Sequence, residues 1–95
     1  MSWSTTVTAS TDIIEKDIDD IVENLPKELG SPFTNTNSKQ EWGWSCGTDI
    51  FLPEGKKLTV RGANFSARIA EDMTAHIKTE LRYKGYKYVR NSRIS

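Results

Sequence analysis

The chain predicts an α+β fold of ferredoxin-like type, an open-faced sandwich with two helices on one face of a four-stranded antiparallel sheet. Three observations lead there. Hydrophobic periodicity switches between the alternation of a strand and the stripe of a helix in the order β-α-β-β-α-β. Two such β-to-β passages through a helix, each right-handed, fit a split βαβ arrangement. At 95 residues, the chain has material for one domain and one modest core.

The first strand is expected over residues 3–9, with Trp3, Thr5, Val7 and Ala9 on one side and Ser4, Thr6 and Thr8 on the other. A helix over 12–25 follows, because Ile13, Ile14, Ile18, Ile21, Val22 and Leu25 fall on one stripe. Asp12, with Glu15 three residues on, reads as its N-terminal cap, and Pro26 stops it. Residues 30–40, "GSPFTNTNSKQ" from Gly30, have no period and read as an exposed loop.

A hairpin is expected over 41–62. Its first strand would put Trp42, Trp44, Cys46, Thr48, Ile50 and Leu52 on one face, and Gly43, Ser45, Gly47 and Asp49 on the other. "PEG" at 53–55 makes the turn, and Leu58 and Val60 point inward from the second strand until Gly62 breaks it. The second helix, 65–84, is capped by Asn64 or Ser66 and carries Phe65, Ile69, Ala70, Met73, Ile77 and Leu81. Gly85 is the left-handed residue expected past its end, and "YKYVRN" gives a last strand over 86–91.

Charge narrows the function classes. The 13 basic and 13 acidic residues cancel, so no global charge argues for nucleic acid or membrane. Their distribution is polar, however. Residues 1–45 hold three basic groups against eight acids, a net of −5, and residues 46–95 hold ten against five, a net of +5. One cysteine gives no internal disulfide, the N-terminus lacks a basic and apolar leader, and no stretch is apolar enough to span a bilayer. A cytoplasmic protein without membrane association is expected.

Three constellations are candidates for function. The Trp42, Trp44, Cys46 row reads as core, with a partly exposed ligand platform as the alternative. The acidic face of the first helix, Glu15, Asp17, Asp19, Asp20 and Glu23, reads as a docking surface for a protein with a basic surface. The basic, tyrosine-rich end gathers Arg82, Tyr86, Lys87, Tyr88, Arg90 and Arg93, and with Arg61 of the hairpin it suits single-stranded nucleic acid. An RNA-recognition motif shares the strand and helix order, but its stacking positions here hold Ser4, Thr6, Thr8, Thr59 and Arg61.

Catalysis finds no constellation. His76 has no nucleophile beside it in the sequence pattern, and one cysteine with one histidine cannot complete a structural zinc site. The expectation is therefore a non-enzymatic protein-binding module (a small adaptor, regulator or inhibitor), with another protein or a second copy of itself, as a homodimer, as partner and nucleic acid as the second choice. No metal and no cofactor are expected.

Overall fold

The computed structural model describes residues 2–25, 32–34, 41–44, 48–63 and 67–95, with 32–34, 41–44, 63, 67 and 68 described by backbone alone. Along them run β1 (Ser2–Thr8), α1 (Glu15–Glu23), β2 (Pro32–Thr34), β3 (Glu41–Trp44), β4 (Thr48–Phe51), β5 (Lys57–Ala63), α2 (Ala67–Tyr83) and β6 (Arg90–Asn91). The protein is thus a small α+β domain with two helices and an antiparallel sheet. The sheet order is β2-β3-β4-β5-β1-β6.

Burial follows the predicted alternation. Trp3, Thr5, Val7 and Ala9 face inward from β1 and its exit, and Thr48, Ile50, Leu58 and Val60 do so from β4 and β5. Ile18, Ile21 and Val22 of α1 meet Ala70, Met73, Ile77 and Leu81 of α2 in the same apolar cluster. Both helices therefore cover one face, while Ser4, Thr6, Thr8 and Thr59 stay partly open on the other.

The expected hairpin is more folded than its sequence suggested. In place of one strand over 41–52, the chain reverses between Trp44 and Thr48, and β3 pairs with β4 through Trp42↔Ile50 and Trp44↔Thr48. Pro32–Thr34, inside the expected exposed loop, adds a further strand along β3. This raises the sheet to six strands among the described residues instead of four. The β4–β5 turn lies slightly later than expected. Glu54 and Lys57 exchange backbone bonds of 2.8 and 3.0 Å around Gly55, whose φ of +58° a side chain would resist.

Gly62 does not break its strand. It pairs with Trp3, and a Cβ built there would overlap the Trp3 indole. The glycine is the space into which the buried ring lies, so β5 runs on to Ala63.

Other boundaries shift for tertiary reasons. Helix α1 starts at Glu15 rather than 12, with Ile14 in the cap position in extended conformation and no side-chain cap bond. The segment before it is held extended by Ala9 N–H to Lys56 C=O, Ser10 N–H to Lys87 C=O and Ile13 N–H to Gly55 C=O. Asp12 thus stays outside the helix, and Ile14, expected on the apolar stripe, is 60% exposed. The helix ends at Glu23, where the Asn24 amide donates to Asp20 C=O at 2.8 Å. Helix α2 closes at Tyr83, and the last strand shrinks to Arg90–Asn91 because residues 84–89 form a bonded turn. Cys46, Phe65, the caps at Asn64 and Ser66 and the segment 26–30 lie outside the described residues, as do the side chains of Trp42 and Trp44.

Replacing Gly62 by Ala should destabilise the fold by about 1–3 kcal/mol, the usual cost of overpacking a core. Denaturant titration should show most of that loss removed when Trp3→Leu is already present. Equal losses in both backgrounds would mean that the ring does not depend on the glycine.

Candidate functional site

The turn after α2 brings the two charged halves of the chain together. Gly85, at φ +99°, donates to Arg82 C=O at 3.0 Å while Tyr86 N–H donates to Leu81 C=O at 3.1 Å. This is the double bond pattern with which a left-handed glycine terminates a helix, and Tyr86 packs on the core beside it. Lys84 and Tyr86 are thereby aimed at α1.

Lys84 Nζ lies 3.3 Å from Asp20 Oδ2 and 4.0 Å from Asp17 Oδ1. The Tyr86 hydroxyl donates to Asp17 Oδ2 at 2.6 Å and accepts from Ile14 N–H at 3.0 Å. That second bond satisfies a backbone donor at the start of α1 that no cap side chain reaches. Of the five predicted acids, Asp17 and Asp20 are therefore partly covered and bonded inward. Glu15, Asp19 and Glu23 are exposed, at successive four-residue spacings on one stripe.

The predicted basic set does not form one patch. Arg82 donates from Nη2 to Val89 C=O at 2.8 Å, so it braces the turn, and Tyr86 belongs to the clamp on α1. Lys87 and Tyr88 are exposed in that turn, Tyr88 with a φ of +56° that few non-glycine residues adopt. Arg93 lines a cleft on the helix side of the sheet edge with Lys78 and Thr74. Only Arg61 and Arg90 belong to the open sheet face.

That face also holds Lys57, which the sequence did not single out, beside the predicted Arg90. Lys57 and Arg90 flank Thr8 in the strand register, and with Thr6, Thr59, Ser92 and Glu54 they line a shallow concavity of about 440 Å³. Beside it, the Arg61 guanidinium stands 5.7 Å from the centre of the Phe51 ring, within cation–π range. The alternation of β5 already placed Lys57 with Thr59 and Arg61, so Lys57 was open to detection. The placement of the predicted Arg90 across Thr8 from it was not, because Arg90 arrives from the far end of the chain.

His76 is exposed on α2. Among the described residues, no group of three or more His, Cys, Asp or Glu side chains is arranged to hold a metal ion, and no helix is long and apolar enough to cross a membrane. Comparison with protein-family models, with curated proteins and with solved structures finds no match to this chain.

Burial raises the Tyr86 phenol above its ordinary value of 10.0, helped by its bond to Asp17 and opposed by the one from Ile14. The folded state thus favours the neutral phenol. Its contribution is complete below the unfolded value and is lost as pH rises through the folded one. Tyr86→Phe should cost about 0.5–1.5 kcal/mol at neutral pH, as one net hydrogen bond does. The gap between wild type and variant in denaturant titrations should narrow as pH climbs beyond 10. A gap that is constant up to strong alkali would show that the hydroxyl carries none of it.

Proposed function

We propose that this chain is a non-enzymatic protein-binding module that docks a partner with a basic surface on the outer side of α1, as a small adaptor, regulator or inhibitor does. The observation that carries the reading is the stripe Glu15, Asp19, Glu23, exposed on a helix that Lys84 and Tyr86 anchor from behind. Like charges at this spacing cost a helix about 0.2–0.5 kcal/mol per pair, a cost that cations of a partner remove. Exposed Ile14, just before the stripe, offers an apolar anchor for the same contact. A distinct partner is favoured over a homodimer. The acidic stripe and the cations Lys57, Arg61 and Arg90 belong to opposite layers, so a charge-matched contact between two copies is head-to-tail and does not close into a pair.

We read the architecture as the ferredoxin-like type. Support comes from the order β4-β5-β1-β6, with α1 between β1 and the β2–β4 block and α2 between β5 and β6. A cytoplasmic location belongs to the same reading and rests on composition, one cysteine in 95 residues.

Changing Glu15, Asp19 and Glu23 together to Gln should leave stability within about 0.5 kcal/mol per site. In pull-downs from nuclease-treated extract of the native host, wild type should hold a partner that this variant loses, with retention falling as salt rises. The reading fails if both proteins retain the same partners.

A second reading, single-stranded nucleic acid on the open sheet face, is favoured by one observation, the Phe51–Arg61 pair beside Lys57 and Arg90. Fluorescence anisotropy with a labelled oligonucleotide decides it. Binding weakened by Arg61→Glu plus Arg90→Glu, with a salt slope reduced by about two, supports it. No binding by wild type at low salt removes it.

A further inference from the structure

Two concavities meet on the open sheet face. The one around Lys57 and Arg90 adjoins a second of about 410 Å³ lined by Phe51, Leu52 and Arg61, and Glu54 and Thr59 border both. Stacked rings keep their centres at least about 4.5 Å apart, so none enters the 5.7 Å between Phe51 and Arg61. A flat ligand lies instead on the outer, exposed side of the guanidinium. Thr59 is one step of the face, about 7 Å, from Arg61 on one side and from Lys57 on the other. Lys57 and Arg90 flank Thr8 from the two neighbouring strands, about 10 Å apart at the backbone. Neither they nor exposed Glu54 have a side-chain partner among the described residues.

These groups match the parts of a nucleoside monophosphate in order. Any base stacks on a guanidinium plane backed by an aromatic ring. A phosphate over Thr8 takes a forked contact from Arg90 and a point charge from Lys57. The ribose between them meets the Thr59 hydroxyl, which donates and accepts. Glu54 then decides the base. A carboxylate only accepts, and guanine offers its two oxygens a pair of adjacent donors, N1–H and the 2-amino group. Adenine and cytosine set an acceptor beside their amino group, and uracil sets its one donor between two carbonyls. With Asp49 opposite Arg61 in the register, the face holds three cations against two carboxylates, which suits a monophosphate or one link of a strand. We propose, resting on the second reading of this face, that it binds a guanine nucleotide, free or within a single strand. The base lies on Arg61 and Phe51 with its edge on Glu54, and the phosphate lies between Lys57 and Arg90.

The test is amide-resolved NMR of the full chain at fixed ionic strength, titrated separately with the 5′-monophosphates of guanosine, adenosine, cytidine and uridine. Saturable shifts along β1, β5 and β6 are expected with guanosine monophosphate. Its affinity should exceed the others by about tenfold or more, the margin of one paired contact to a base edge. Glu54→Gln should erase that margin and leave adenosine monophosphate binding unchanged, because the amide sets a donor where guanine needs an acceptor. Arg90→Met should weaken all four alike. Equal affinity for the four, or a guanine preference that survives Glu54→Gln, overturns the assignment. Pentauridine and its relative with a central guanosine separate the sources and the readings. Tighter binding of the guanosine-bearing strand than of guanosine monophosphate identifies a guanine within a strand, and equal or weaker binding identifies the free nucleotide. If the two strands bind alike, nucleic-acid binding on this face stands and the guanine site falls. If no nucleotide and neither strand binds, both fall.

Discussion

The contact between the Trp3 indole and Gly62 fixes how the central strands meet, and much of the molecule follows from that register. A slip of one residue between β1 and β5 would exchange their inward and outward sets and press the ring against a side chain. With the register set, Thr5, Val7, Leu58 and Val60 form the floor on which both helices lie. The same register brings Lys57 beside Thr8 and Arg61 beside Ser4 on the opposite face. Core and open face are two consequences of one pairing.

A second junction ties the helices to each other. The glycine turn after α2 delivers Lys84 and Tyr86 to Asp17 and Asp20 of α1, so opposite charges remote in sequence are spent on internal contacts. Ion pairs as exposed as Lys84 with Asp20 stabilise little, typically 0–1 kcal/mol. The Tyr86 hydroxyl matters more to the architecture, because it closes the open backbone donor at Ile14 and so defines where α1 begins. The turn is itself braced by Arg82 on Val89 C=O and by Ser10 N–H on Lys87 C=O. It holds Tyr88 exposed in a left-handed conformation that a tyrosine adopts only when its surroundings impose it.

These internal contacts sort the charges by availability. Asp17, Asp20, Lys84, Arg82 and Tyr86 have partners within the fold, whereas Glu15, Asp19 and Glu23 on one layer and Lys57 and Arg90 on the other have no side-chain partner among the described residues. The polarity visible along the chain therefore persists in three dimensions on a subset of the residues that the linear pattern picks out, with Lys57 added. Surfaces of this kind set association rate and partner choice more than affinity.

The sequence by itself determined the layers. Alternation in 3–9 and 57–61, the stripe Ile18, Ile21, Val22 and the stripe Ala70, Met73, Ile77, Leu81 are local patterns, and the sides they bury depend only on period. Gly85 was legible for the same reason, since a left-handed helix end is a local demand. Tertiary structure alone decided the reversal between Trp44 and Thr48. Pairing Trp44 with Thr48 and Trp42 with Ile50 matches even-numbered positions to even-numbered ones, so a single long strand and two paired strands carry the same alternation. It also decided the start of α1 at Glu15 and the split of the basic set among three sites. Those outcomes rest on bonds from Gly55, Lys56, Tyr86 and Lys87 to residues more than forty positions away, and no local period encodes a partner at that distance.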